Sequence, residues 1–332
     1  MKKEGKSVGR SALSPPKIEI FDAHTHPGFE KKDIEKRSGF LEMWLGDTTA
    51  SRIFMDIRAG LGDPEPYKVI TKAEELPDFG VEDWIRIMDE HNVTHCVLQC
   101  MNAVSDPPLN YKWEMPYEYI KEEFIDNYPG RFIGIGGVNC KLGAKEAVKQ
   151  VVKAKEFGFK GIKIFTPYGP YPNDREKCYP VYEKCLELGL HVEIHTGTEE
   201  TPGARAKYQD PVFIDDVAMD FPDLKILQLH CGFMNRREHA LWNVITHPNV
   251  YTDVTWSNPK WLYYKYTNDL EHFRFLEAFI PDKVFYGTDF PINLSVYRSY
   301  IDHILQLPLT DEFKRKLMRD NARKFYLGED VE

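Results

Sequence analysis

Several features that mark familiar protein classes are missing from this chain of 332 residues. No run of about 18 apolar residues occurs, so the sequence offers no candidate membrane helix. The basic first residues are not followed by the apolar stretch of a secretory signal. We therefore expect a cytoplasmic protein whose residues 1–17 form a flexible N-terminal tail.

Cationic clusters are missing as well. The formal net charge is −9, and no basic patch stands out along the chain. Nucleic-acid phosphates are bound through such patches, so we expect no nucleic-acid partner. With no membrane partner expected either, a small-molecule substrate is the predicted binding partner.

Paired cysteines are absent too. The six cysteines form no CxxC motif, and a chain of this length buries enough apolar surface to fold without disulfides. Disulfides are rare in reducing compartments, which agrees with the expected cytoplasmic location. We therefore predict that all six are free thiols.

What the sequence does contain is an alternation of short β-branched runs with longer stretches of helical periodicity, such as Tyr117–Asn127. This alternation predicts parallel strands joined by helices. Eight such units favour an α/β fold of the (β/α)8 TIM-barrel type, with a doubly wound open sheet as the alternative. The predicted strands are Ile18–Ala23, Thr94–Cys100, Phe132–Val138, Gly161–Phe165, His191–His195, Lys225–His230, Val250–Val254 and Val284–Gly287.

A long insertion follows the first predicted strand. Residues Pro27–Gly80 interrupt the alternation, and a loop of that length in a compact domain is normally a lid, a binding insertion or an interface. No linker or internal repeat divides the rest of the chain. We therefore predict that residues 18–332 form one domain.

Side chains able to bind metals or carry protons recur where predicted strands end. The first strand leads into His24 and His26, the fifth and sixth end at His195 and His230, and the eighth leads into Asp289. The carboxyl ends of barrel strands meet at one rim, and strand residues two apart face the same side. We therefore expect these five side chains to lie close together.

Each of these residues alone also has an ordinary structural interpretation. A strand-end histidine is usually a hydrogen-bonded polar residue, and an aspartate after Gly-Thr is commonly a turn or cap residue. Imidazole and carboxylate are nevertheless typical ligands of Zn²⁺, whose catalytic sites keep one position for water. The coincidence of all five at one rim favours a metal site.

As an ordered set, the motifs resemble the amidohydrolase superfamily, and within it amidohydrolase family 2. That family contains aminocarboxymuconate-semialdehyde decarboxylase and related metal-dependent hydrolases, lactonases and decarboxylases. The resemblance extends from Ile18 to Gly328. It rests on the motifs FDAHTHPG, GIKIF, HVEIHTG, FPDLKILQLHCG, VFYGTDFP and DNARKFYLG.

The resemblance implies a single divalent metal, most often Zn, with Mn, Fe or Co as alternatives. It assigns the metal ligands to His24, His26, His195 and Asp289. It also implies that His230 transfers a proton, that Asp289 has a second role as proton acceptor, and that the protein is a homodimer or a larger homo-oligomer.

Two alternatives stay open. In GIKIF, Lys163 occupies the position at which other amidohydrolases carry a carbamylated lysine that bridges two metals, so a binuclear site is a second possibility. The reaction is either hydrolysis of a small carboxylated or cyclic substrate (a lactone, amide or ester) or non-oxidative decarboxylation of an aromatic or muconate-like acid. Both need a cation for a substrate carboxylate, and Arg205 is our candidate. A barrel that only binds a ligand is disfavoured because the set of metal-binding residues is complete.

Overall fold

The computed structural model describes residues 18–27, 79–110, 112–197, 203–233, 236–255, 269–291 and 297–329. The predicted tail and residues 28–78 of the predicted insertion lie outside this part of the chain. The strands are β1 (Ile20–Thr25), β2 (Val93–Gln99), β3 (Asn102–Val104), β4 (Lys112–Glu114), β5 (Phe132–Val138), β6 (Gly161–Ile164), β7 (His191–His195), β8 (Ile226–Leu229), β9 (Val250–Asp253) and β10 (Val284–Phe285).

Helices alternate with these strands along the chain. The α-helices are α1 (Val81–Glu90), α2 (Tyr117–Tyr119), α3 (Ala144–Glu156), α4 (Tyr179–Leu188), α5 (Val212–Asp220), α6 (Arg237–Thr246), α7 (Asp269–Phe279), α8 (Tyr297–Gln306), α9 (Asp311–Arg315) and α10 (Asn321–Leu327). The helix predicted at Tyr117–Asn127 is present as α2 followed by a π-helical segment, Ile120–Ile125. No helix in the described ranges is long and apolar enough to cross a bilayer.

Eight parallel strands pair in the order β1, β2, β5, β6, β7, β8, β9, β10. The first strand also meets the segment after the last, where Thr25 and Phe290 form a parallel bridge and Asp289 N donates to His24 O at 2.8 Å. The sheet is therefore a nearly closed barrel, which confirms the predicted TIM barrel and excludes the open sheet. The short antiparallel hairpin of β3 and β4 was not predicted.

Side chains alternate between the two faces of the barrel wall. In β7, Val192 and Ile194 belong to the large core between the sheet and the helices, as the alternation predicts. A second core fills the barrel interior and includes Phe285 and, from α10, Phe325 and Tyr326. Apolar packing thus occupies part of the barrel interior. All six cysteines are buried and free, as predicted.

Glycines in β5 allow close packing. A Cβ atom at Gly137 would lie 2.7 Å from the backbone carbon of Met101 and 2.8 Å from the backbone nitrogen of Asn102. Such contacts are far shorter than van der Waals distance, and backbone atoms cannot rotate away as a side chain does. The segment between β2 and β3 therefore packs on β5 only because residue 137 has no side chain.

We expect Gly137→Ala to lower the free energy of unfolding by about 1–3 kcal/mol, because the added methyl group must displace the backbone of Met101 and Asn102. Urea unfolding followed by circular dichroism measures this loss. The control is Leu142→Ala, since the Leu142 side chain is exposed and its truncation should change stability by less than about 0.5 kcal/mol. Equal stability of the two variants would contradict this packing.

Candidate metal centre

The two histidines of the first strand are held by different partners. His24 Nδ1 lies 2.8 Å from Asp253 Oδ2, and His26 Nδ1 lies 3.0 Å from the carbonyl oxygen of Gln99. Their Nε2 atoms approach the same carboxylate oxygen, Asp289 Oδ1, at 3.5 Å for His24 and 3.0 Å for His26. The HxH motif and Asp289 therefore converge on one point, as the sequence predicts.

His230 and Asp289 both have left-handed backbone conformations, with φ of 64° and 59°. Non-glycine residues rarely adopt these angles, and each costs about 1–3 kcal/mol unless the surrounding structure compensates. At Asp289 the backbone N–H donates to His24 O, and at His230 it donates to Asp253 Oδ1 at 2.9 Å. The strain thus occurs at the positions where the chain turns out of a strand and presents a chemically active side chain.

A buried carboxylate also holds the loop that carries Asp289. Asp22 accepts hydrogen bonds from Thr288 N at 3.1 Å, from Thr288 Oγ1 at 2.6 Å and from the Tyr297 hydroxyl at 3.0 Å. Burial raises the pKa of Asp22 to about 7, although these hydrogen bonds act in the opposite direction. Asp22 therefore ties the first strand of the barrel to the loop after the last.

His195 completes the row of imidazoles. It ends β7, and its Nδ1 lies 3.2 Å from His230 Nε2. Its Nε2 is buried and makes no hydrogen bond within the described part of the chain, and the same is true of His24 Nε2. Buried ring nitrogens without a hydrogen-bond partner cost free energy unless something binds them, so both atoms fit a role as metal ligands.

The donor atoms lie close enough to share an ion. One ligand atom from each of His24, His230 and Asp289 lies within 4.8 Å of the others, and all three residues are buried. His26 and His195 each contact a member of this set. The structure therefore brings together all five residues predicted at the rim, and it places His230, predicted to transfer protons, among the possible ligands.

Burial dominates the electrostatics of this cluster. It lowers the pKa of His24 and His195 well below the ordinary value and that of His230 to about 3. Burial alone would raise the pKa of Asp289, but the neighbouring imidazoles of His24 and His26 outweigh it and hold that pKa well below its usual range. Neutral imidazoles and an ionised carboxylate are the forms that bind metals, so the donor set fits a divalent cation.

Lys163 lies in the barrel wall beside this cluster. It is 2% exposed and pairs in the sheet with Gly137 of β5 and Glu193 of β7. Glu193 accepts hydrogen bonds from Gln99 Nε2 at 2.6 Å and from the Tyr326 hydroxyl at 2.8 Å. Lys163 is therefore inside the protein rather than a solvent-exposed rim residue, which keeps the binuclear alternative open.

Arg205 lies away from these contacts. Its Nη2 is 3.2 Å from Asp106 Oδ2, and its side chain is 54% exposed. Lys141 Nζ binds the other oxygen of the same carboxylate at 2.5 Å. These residues belong to loops that follow β7, β3 and β5, so Arg205 is part of a surface ion-pair network, and its predicted contact with substrate stays a prediction.

Sequence reasoning missed Asp253, the last residue of β9, and Thr255, which lies two residues further along the chain. Asp253 accepts hydrogen bonds from His24 and His230, and Thr255 Oγ1 lies 2.8 Å from His230 Nδ1. The signal was present in VYTDVT, where two polar residues two apart end a buried strand. It passed unnoticed because neither residue belongs to a His-rich motif.

Solved structures with the same fold extend over nearly the whole chain. An uncharacterized TIM-barrel protein from Bordetella bronchiseptica has a TM-score of 0.67 at 20% identity, covering 93% of this chain and 98% of its own. A 5-carboxyvanillate decarboxylase from Novosphingobium aromaticivorans, complexed with manganese, has a TM-score of 0.62 at 16% identity, covering 96% and 100%. A 2,6-dihydroxybenzoate decarboxylase has a TM-score of 0.61 at 13% identity, covering 93% and 99%.

These similarities establish the fold alone because the identities are low. The family model described as Amidohydrolase (Amidohydro_2) is a more specific match, and it aligns with residues 117–327. That range is more than half of the chain and contains His195, His230 and Asp289. The chain belongs to the amidohydrolase family.

Proposed function

We propose that this protein is a metal-dependent hydrolase of the amidohydrolase family 2 type, acting on a small carboxylated or cyclic substrate such as a lactone, amide or ester. The observation that carries the proposal is the buried donor set of His24, His230 and Asp289, whose ligand atoms lie within 4.8 Å of one another. We propose a single divalent ion, with Zn first and Mn, Fe or Co as alternatives.

The ligands that we propose are His24, His26, His195 and Asp289. Support comes from the buried Nε2 atoms of His24 and His195, which make no hydrogen bond within the described ranges, and from the approach of His26 Nε2 to Asp289. When bound, the ion supplies a Lewis acid that activates water and polarises a substrate oxygen.

The residues around the ion supply the proton chemistry. His230 is the proposed general base because it is buried beside His195, one of the proposed ligands, with its Nε2 3.2 Å from His195 Nδ1. The Asp289 carboxylate is the second proton acceptor, held at the rim by its own backbone N–H bonded to His24 O. Burial of both residues excludes bulk water, which strengthens their interactions with a developing charge.

Arg205 is the proposed anchor for a substrate carboxylate. Its present partner, Asp106, is 40% exposed and is also bound by Lys141, so Asp106 keeps one cation if Arg205 turns to a substrate. A guanidinium binds a carboxylate through two parallel hydrogen bonds, which orients the substrate as well as attracting it.

Non-oxidative decarboxylation is the second candidate. It is favoured by the fold similarity to the 5-carboxyvanillate and 2,6-dihydroxybenzoate decarboxylases. For an aromatic or muconate-like acid, the same residues would orient the carboxyl group, and His230 would assist proton transfer to the carbon from which CO₂ leaves.

Product analysis distinguishes the two reactions. We expect the zinc-loaded protein to hydrolyse at least one member of a panel of lactones, esters and amides, with no CO₂ released from aromatic or muconate-like acids. Proton release and a coupled CO₂ assay measure the two products. Dipicolinate should abolish turnover, and added Zn²⁺ or Mn²⁺ should restore it, because the ion supplies the Lewis acid.

Two histidine variants test the proposed role of His230 in this assay. His230→Ala should lower kcat by about 10²- to 10⁴-fold, the usual contribution of a general base. His239→Ala is the control, because His239 is half-exposed and contacts Asp210, which is not one of the proposed site residues. CO₂ release without hydrolysis would replace the first candidate by the second, and turnover that survives complete metal removal would contradict both.

Arg205→Ala should raise KM for a carboxylated substrate by about 10- to 100-fold with little change in kcat. The physical reason is the loss of a charged hydrogen bond that contributes about 1.5–3 kcal/mol. Steady-state kinetics with the carboxylate and with its neutral methyl ester measure the effect. Arg86→Ala, which removes an exposed arginine of α1, is the control. An equal KM change for acid and ester would argue against Arg205 as the anchor.

A further inference from the structure

One buried carboxylate contacts two of the imidazoles in the proposed metal centre. Asp253 ends β9 and is completely buried. Its Oδ2 lies 2.8 Å from His24 Nδ1, while its Oδ1 accepts from His230 N at 2.9 Å, from Thr255 N at 3.1 Å and from the Thr255 hydroxyl. Both carboxylate oxygens are therefore engaged by atoms of the site.

These contacts determine which nitrogen of His24 carries the proton. A carboxylate can only accept, so His24 Nδ1 must be the N–H donor to Asp253 Oδ2. His24 Nε2 then presents a lone pair. That atom is buried, makes no hydrogen bond within the described residues and lies 3.5 Å from Asp289 Oδ1.

The same reasoning extends through Thr255 to His230. A hydroxyl group has a single proton, and that of Thr255 is donated to Asp253 Oδ1. Towards His230 Nδ1, at 2.8 Å, Thr255 Oγ1 can therefore only accept. His230 thus carries its ring proton on Nδ1 and presents a lone pair on Nε2.

His195 is the last residue of this hydrogen-bond network. Its Nδ1 faces the lone pair of His230 Nε2 at 3.2 Å and must therefore donate. The lone pair of His195 is then on Nε2, the buried atom that makes no hydrogen bond in the described part of the structure. The hydrogen-bond network assigns the Nδ1–H tautomer to all three imidazoles.

We infer that Asp253 is a positioning residue which, directly and through Thr255, fixes the tautomers of His24, His230 and His195. The Nε2 lone pairs of His24 and His195 then face the metal centre, while that of His230 accepts from His195 Nδ1. A metal binds only a lone pair, so a network that selects the tautomer in advance removes part of the cost of binding. The bond from His230 N to Asp253 also holds the left-handed backbone that turns His230 inward. This inference rests on the proposed metal-dependent function.

Zinc affinity tests the inference without reference to catalysis. In competition with a chromophoric chelator, Asp253→Asn should bind Zn²⁺ about 10- to 100-fold more weakly, since its amide nitrogen donates where His24 needs an acceptor. Asp215→Asn is the matched control, because Asp215 forms a similar carboxylate–histidine pair with His247 at 2.7 Å between α5 and the end of α6. Its affinity should equal that of the wild type.

Variants of Thr255 provide a second test that leaves the Asp253 carboxylate in place. Thr255→Val removes the hydroxyl and should change the His230 tautomer, read from the ring-nitrogen shifts of ¹⁵N-histidine-labelled metal-free protein. Thr255→Ser keeps the hydroxyl and should retain the wild-type shifts. If Asp253→Asn does not fold, this pair of variants decides alone.

The outcomes separate the two proposals. If the wild-type protein binds no divalent metal, the proposed metal-dependent function is wrong. Wild-type binding with unchanged affinity in Asp253→Asn, or unchanged His230 shifts in Thr255→Val, would overturn the inference about Asp253 and leave the metal centre in place.

Discussion

The closure of the barrel is the constraint on which the candidate site depends. The first strand meets the segment after the last, where Asp289 N donates to His24 O and Asp22 binds Thr288. Without these contacts, the HxH motif and Asp289 would belong to opposite edges of an open sheet. The closure therefore brings together residues more than 260 positions apart and aligns their side chains on one point.

The opposite wall of the site comes from three consecutive strands. His195 is the last residue of β7, His230 comes directly after β8, and Asp253 is the last residue of β9. The three strands are neighbours in the parallel sheet, so these side chains lie side by side. Asp253 then joins this wall to the first strand through its contact with His24 Nδ1. Asp22 thus holds the loop that carries Asp289, and Asp253 holds the His24 ring and the backbone of His230.

The sequence predicted the barrel and its rim because both depend on local periodicity. Each of the eight predicted strands is present, and the predicted bounds Phe132–Val138 and His191–His195 are those of β5 and β7. Hydrogen-bond partners across strands were harder to foresee. The roles of Asp253 and Thr255 depend on the tertiary placement of His24 and His230, and the pairing of Arg205 with Asp106 depends on a hairpin whose short strands leave only a weak periodic signal.

Metal content measured by plasma mass spectrometry, together with anomalous diffraction at the absorption edge of the metal found, tests the central claim most directly. The account predicts about one divalent ion per chain, with an anomalous peak about 2.0–2.2 Å from His24 Nε2 and a carboxylate oxygen of Asp289. It also predicts that His24→Ala and Asp289→Asn lose the ion. Full metal content in both variants, or a peak elsewhere in the barrel, would contradict it.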